Sequence, residues 1–135
     1  MNGVPILVLD ASVGVKWFRD EEGSAEAIQL LGDQRESAIA LHAPEHFVVE
    51  VLSVVNRSFG SAAIIPAGEL LVLSGIEFHS LTPEVVGEAA RQCVLLGCSF
   101  YDALAPALAI FLGGELCSAD RRAHEAFAGV RLLGG

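Results

Sequence analysis

The sequence predicts an α/β fold, a three-layer sandwich whose mainly parallel central sheet is flanked by helices. Three observations carry this reading. Val4-Pro5-Ile6-Leu7-Val8-Leu9 is a nearly unbroken apolar run rich in branched residues, the mark of a strand buried on both faces, as in a parallel sheet. Short apolar runs of that kind then alternate with helical stretches to the end of the sequence, the order that builds βα units. Finally, 135 residues with a hydrophobic fraction of 53% suffice for one sizeable core without disulfides. No internal repeat, low-complexity tract or linker is visible, so residues 1–135 are expected to form a single domain.

After the first strand, Asp10-Ala11-Ser12 caps a short helix over 13–18, which Glu21-Glu22-Gly23-Ser24 breaks. Ser24 is the expected N-cap of a helix over 25–31 that Gly32 stops. Residues 38–41 form a second apolar run. Pro44 opens a longer helix, where its missing N–H costs nothing and Glu45 suits the first turn. Phe47, Val48, Val51, Leu52 and Val55 recur there at helical spacing. Pro66 opens another helix to about Leu73, and 76–79 is a third strand. A helix from Pro83 runs to Leu96 and ends at Gly97; the next spans 99–112 and stops at Gly113-Gly114. A strand over 116–118, a helix over 120–128 stopped by Gly129 and a strand over 130–133 complete the chain. Pro106 falls inside the 99–112 helix and leaves the Asp102 carbonyl without its usual i+4 donor. The helix is therefore expected either to kink there or to start later, with Pro106 in its first turn.

Seventeen acidic against eight basic side chains give a net charge of −9 and an isoelectric point near 4.7. This argues against nonspecific, charge-driven binding to nucleic acid or anionic membranes, though not against a nucleic-acid enzyme with a few well-placed basic residues. The mean hydropathy of +0.53 excludes bulk disorder, collagen and coiled coil. Cys93, Cys98 and Cys117 are odd in number and lack zinc spacing, so they read as small buried thiols of a reducing compartment. No signal peptide is visible. The longest uncharged apolar stretch, 103–114, falls short of the ~20 residues needed to span a bilayer. The expectation is a soluble cytoplasmic protein with no membrane association.

Ligands of open α/β sheets bind outside the carboxyl ends of strands. Asp10 ends the first strand and Asp120 follows the fourth, so both are candidates to face one crevice. Glu50 lies in Val48-Val49-Glu50-Val51-Leu52 and Asp102 in Phe100-Tyr101-Asp102-Ala103-Leu104. Carboxylates isolated in apolar surroundings are the informative kind. Each also has a structural reading: Asp10 and Asp120 as helix caps, Asp102 as the partner of Ser99 in a capping box, Glu50 as a solvated helix residue.

Taken together, the segments Val8-Leu9-Asp10-Ala11-Ser12-Val13 with Lys16-Trp17-Phe18, Glu50 on the helix after Pro44, Ser99-Phe100-Tyr101-Asp102-Ala103-Leu104, and Ser118-Ala119-Asp120-Arg121-Arg122 resemble PIN-domain ribonucleases, specifically the VapC-like toxins of type II toxin–antitoxin pairs. The resemblance covers nearly the whole chain. It implies a parallel sheet flanked by helices and Mg²⁺- or Mn²⁺-dependent cleavage of RNA. It also implies a metal and catalytic set of Asp10, Glu50, Asp102 and Asp120, with Ser12 and Ser118 at small hydroxyl positions beside it. A cognate antitoxin would hold the toxin inactive, and the protein would form a homodimer or a toxin–antitoxin hetero-oligomer. Arg121 and Arg122 are candidates for contact with substrate phosphate, or else solvated arginines of a first helical turn.

Such carboxylates suit hard cations, which prefer oxygen ligands. Pro106 departs from the family pattern. His42, His46, His79 and His124 form no recognisable ligand set and read as surface or packing residues, as do Trp17 and Phe18. A haloacid-dehalogenase-like phosphatase would need a second aspartate where Ser12 stands, and a response-regulator receiver a late lysine, whereas Lys16 is the only lysine. The remaining alternative is a PIN-like binding module with little or no nuclease activity.

Overall fold

Five short strands share one sheet in the computed structural model, which describes residues 3–134; residues 1, 2 and 135 of the expected 1–135 unit lie outside the described residues. The strands are β1 (Ile6–Leu9), β2 (Ala40–Pro44), β3 (Glu77–His79), β4 (Glu115–Ser118) and β5 (Val130–Leu132), in the order β3-β2-β1-β4-β5. Every pairing is parallel, with Leu7 opposite Leu41 on one side and Glu115 on the other. The sheet is thus wholly parallel. The helices are α1 (Ala11–Gly14), α2 (Ser24–Arg35), α3 (His46–Phe59), α4 (Ile64–Leu73), α5 (Pro83–Leu96), α6 (Phe100–Leu112) and α7 (Arg121–His124), with 3-10 turns at Val15–Trp17 and Ser61–Ala63.

Alternation along β1 divides the core into two layers. Leu7 and Leu9 pack with Ala27 and Leu30 of α2, Phe47, Val51 and Val55 of α3 and Leu71 of α4. Val8 points the other way, into a cluster with Val85 and Ala89 of α5 and the buried run Ala103–Ala109 of α6. A central strand buried on both faces needs this continuous apolar sequence. Full burial of each Leu or Val stabilises by about 1.5–3 kcal/mol. α6 is apolar on nearly all sides, as expected of a helix enclosed by its neighbours.

The chain leaves β1 for β2 and β3 on one side, then crosses to β4 and β5 on the other. The crevice between the carboxyl ends of β1 and β4 is therefore a topological switch point, the usual binding place in an open α/β sheet. Gly14 lets α1 lie close against α3 beside this crevice: a Cβ there would stand 2.5 Å from Phe47 Cζ and 2.9 Å from Val51 Cγ2.

Several boundaries differ from the sequence reading. Pro44 ends β2 instead of opening α3, and the donor it lacks is supplied one residue later, where the Glu45 N–H bonds the His79 carbonyl at 2.9 Å. α2 runs through Gly32 to Arg35, a penalty of only about 1 kcal/mol for an interior glycine. Its N-cap is Gly23 at φ 87°. The Ser24 hydroxyl instead holds the preceding turn through the Arg19 carbonyl and the Glu21 N–H. α4 begins at Ile64 with Pro66 inside its first turn, where no intrahelical donor is required. The expected 120–128 helix is only Arg121–His124, after which hydrogen bonds from Phe127 to His124 and from Val130 to Phe127 turn the chain into β5. α6 begins at Phe100, so the late start considered for Pro106 does not occur. Among the described residues no single helix is long and apolar enough to cross a membrane.

Candidate active site

Each acidic candidate is placed by the element that precedes or carries it. The Asp10 N–H extends the β1–β4 ladder to the Cys117 carbonyl at 3.0 Å. Its carboxylate caps α1, with Oδ2 accepting the Ser12 N–H at 3.0 Å. Asp120 caps α7 in the same way, with Oδ1 accepting the Ala123 N–H at 3.1 Å. Asp102 stands in the first turn of α6, and its N–H is capped by the Ser99 hydroxyl at 3.1 Å. Glu50 lies on α3, where His46 Nε2 meets its Oε1 at 2.9 Å. The capping and cleft-lining readings are therefore compatible: a cap occupies one oxygen of Asp10 or Asp120 and leaves the other.

These four carboxylates line one cleft of about 300 Å³ at the carboxyl ends of β1 and β4, together with Ser12, Ser53 and Arg57. Among the described residues no lysine or arginine pairs with any of the four. Burial pushes the Asp10 carboxyl above its usual range, against the opposing effect of its hydrogen bond with Ser12. A desolvated carboxylate without a cationic partner, beside three others, is a donor set suited to a hard divalent cation. The oxygens are not drawn tightly together: among the described residues, the only group of three or more ligating side chains within 4.8 Å of one another is His42, Glu77 and His79. The like charges of the cleft stand wider apart, as Coulomb repulsion favours.

Ser12 and Ser118 sit behind the carboxylates. The Ser12 hydroxyl accepts the Ala119 N–H at 2.9 Å and the Ser118 hydroxyl accepts the Asp120 N–H at 3.0 Å. They thereby fix the turn that presents Asp120. Arg121 and Arg122 do not line the four-carboxylate cleft. Arg121 lies in an adjoining groove with Ser12, Lys16, Arg19 and Asp120; Arg122 lies in another with Ser99, Asp102 and Asp120. Five of the eight basic residues (Lys16, Arg19, Arg57, Arg121 and Arg122) thus border this end of the sheet.

The structure gives the histidines specific partners. His124 is fully buried, with Nε2 2.6 Å from the Asp102 carbonyl and Nδ1 2.7 Å from the Ser118 hydroxyl. A carbonyl only accepts, so Nε2 carries the proton; in the neutral ring Nδ1 then accepts from Ser118. His124 thus supplies the donor that Pro106 cannot. His46 orients Glu50 and lies 5.5 Å, ring centre to ring centre, from Tyr101. Arg57, the basic member of the cleft, had no signal in the sequence beyond its place two turns after Glu50 on α3. All three thiols are free, but only Cys117 is buried as expected; Cys93 and Cys98 are half-buried, and burial pushes Cys117 up to about 12.

The family model of the PIN domain matches residues 7–129. The chain belongs to the PIN-domain family. Its fold is shared with VapC20 of Mycobacterium tuberculosis, described as a Sarcin-Ricin loop cleaving toxin, at a TM-score of 0.71 and 17% identity over 93% of this chain and 98% of that one. It is likewise similar to a chain of a toxin–antitoxin complex from Klebsiella pneumoniae (TM-score 0.70, 15% identity, 93% and 95% covered). A third similar chain comes from VapBC2 of Rickettsia felis bound to a DNA fragment from its promoter (TM-score 0.71, 12% identity, 95% and 98% covered). No curated protein matches the sequence significantly. In this PIN domain, then, the acidic cleft lies at the switch point of the sheet.

Proposed function

We propose that this PIN-domain protein is an Mg²⁺- or Mn²⁺-dependent endoribonuclease, the toxin of a toxin–antitoxin pair, acting as a single unit over 1–135 in the cytoplasm. The observation that carries this reading is the convergence of Asp10, Glu50, Asp102 and Asp120 on one cleft without a lysine or arginine partner. Asp10 and Asp102 would hold the cation, with Glu50 and Asp120 holding a second one or orienting a water. When bound, the cation supplies polarisation of the scissile phosphate and a more acidic water.

The protein's own residues do the rest. His46 holds Glu50 towards the cleft, and Ser12 and Ser118 fix the Asp120 turn. Arg57, on the cleft wall, is placed to meet substrate phosphate. Arg121 and Arg122 in the adjoining grooves extend that contact along the strand. A basic arm is the natural antitoxin contact for such an acidic cleft, with an arginine reaching the carboxylates. The exposed Ile65, Leu70, Val72 and Leu73 of α4 offer apolar surface for an amphipathic partner helix or a second copy.

The test is RNA cleavage by the purified protein with Mg²⁺ or Mn²⁺, with EDTA, and after co-expression with a cognate antitoxin. Cleavage that needs the ion and is suppressed by the antitoxin is expected. Full cleavage in EDTA overturns the metal reading, and toxicity unchanged by any antitoxin overturns the toxin reading.

A further inference from the structure

At the outer edge of the sheet, β2 and β3 bring together His42, Glu77 and His79, none of which lines the acidic cleft. The parallel register pairs His42 with Glu77, and His79 follows two residues on, so all three project from one face of the sheet. His42 Nδ1 lies 2.9 Å from His79 Nε2, and Glu77 Oε2 lies 3.5 Å from the same nitrogen. The ligand atoms of the three residues all lie within 4.8 Å of one another.

We propose that His42, Glu77 and His79 form a second cation site, one that takes a borderline transition-metal ion of the Zn²⁺ class. Ligand atoms held about 2.0–2.1 Å from a tetrahedral Zn²⁺ stand about 3.3 Å apart, close to the separations already present. Two imidazoles and one carboxylate are a recurrent zinc donor set, with the fourth position left to water. Without an ion, no single proton placement joins all three groups. If the His42 Nδ1 proton bonds His79 Nε2, the Glu77 carboxylate faces a lone pair. If His79 Nε2 carries the proton, its bond to His42 leaves Glu77 at 3.5 Å, too far for a good second acceptor. One cation satisfies all three lone pairs together.

The two sites differ in chemistry. The cleft offers carboxylate and hydroxyl oxygens and suits hard ions, whereas imidazole nitrogen selects zinc-like ions over magnesium. The site would pin β3, a three-residue edge strand, to β2. It would also fix His79, whose carbonyl receives the Glu45 N–H at the start of α3.

The experiment is a titration of the full chain with Zn²⁺ alone as the probe, in excess Mg²⁺ to occupy the cleft. The imidazole nitrogens are followed by long-range ¹H–¹⁵N NMR and the melting temperature is read in parallel. One equivalent of Zn²⁺ is expected to shift His42 Nδ1 and His79 Nε2, to leave His46 and His124 unmoved, and to raise the melting temperature. Glu77→Gln changes an exposed side chain and should weaken Zn²⁺ binding at least about tenfold; His79→Gln should abolish the melting shift. Asp102→Asn should keep the full zinc response, so this outcome is independent of the nuclease reading. Unmoved His42 and His79 signals, Zn²⁺ binding by Glu77→Gln and His79→Gln as tight as by wild type, or loss of the response in Asp102→Asn would each overturn the proposal.

Discussion

His124 donates from Nε2 to the main-chain oxygen of Asp102 across 2.6 Å, the carbonyl that Pro106 deprives of its helical partner. A proline seven residues into α6 and a histidine on α7 thus form one unit. Its other end is the Ser118 hydroxyl, which also receives the Asp120 N–H. Two of the four cleft carboxylates, Asp102 and Asp120, are tied to one buried imidazole.

This relationship predicts a coupling. His124→Leu leaves the Asp102 carbonyl and the Ser118 hydroxyl without their partner and should destabilise the fold by about 1–3 kcal/mol. In a Pro106→Ala background the residue 106 N–H can serve that carbonyl, so the same change should be less damaging. Urea melts of the two single variants and the double variant should give a coupling of at least about 0.5 kcal/mol. Strict additivity would show that the two residues do not share the carbonyl.

Asp10 predicts a pH dependence. Burial raises its carboxyl above the usual range, so the folded state keeps the proton to higher pH than the unfolded chain. The resulting stability is fully present below the unfolded value, near pH 3.9, and is lost as the pH rises through the folded one. Asp10→Asn keeps the α1 cap, because asparagine caps as well as aspartate, and removes this loss. In EDTA at fixed ionic strength, the unfolding free energy of the variant relative to wild type should therefore rise with pH through the carboxyl range. A difference that stays flat with pH would contradict the assignment of Asp10 as a desolvated, unpaired carboxyl.

Arg57 predicts a salt effect. With Asp102→Asn as host, the variant expected not to cleave, Arg57→Ala should weaken binding of a short single-stranded RNA. It should also lower the slope of log affinity against log salt by about 0.7, the contribution of one phosphate contact. An unchanged slope would remove Arg57 from the substrate path.

Much of this is legible in the amino-acid sequence. The branched run 4–9 identified a buried central strand, and Asp10 and Asp120 followed from strand ends, since the carboxyl edge of a parallel sheet is where loops converge. Asp102 and Glu50 stood out because a lone charge in an apolar helix needs a reason. The histidines were not legible in the same way. His124 meets Asp102 across 22 residues and His42 meets His79 across 37, and no local periodicity encodes either pairing. Pro44 misled because proline suits a helix start and a strand end equally well, and only the pairing of β2 with β3 decides between them. The short α7 was hidden because its apolar spacing continues past His124, while the chain is drawn off into β5 by tertiary hydrogen bonds.

The most direct test of the central claim is single-turnover RNA cleavage by wild type, Asp10→Asn and Asp102→Asn, titrated with Mn²⁺ at matched ionic strength, with circular dichroism confirming the fold of each. Asparagine keeps the size and a neutral oxygen but removes the charge that holds a hard cation. The account predicts metal-dependent cleavage by wild type, abolished by EDTA and restored by Mn²⁺, and no detectable cleavage by either folded variant. Cleavage by both variants at the wild-type rate and with the wild-type Mn²⁺ dependence would contradict it.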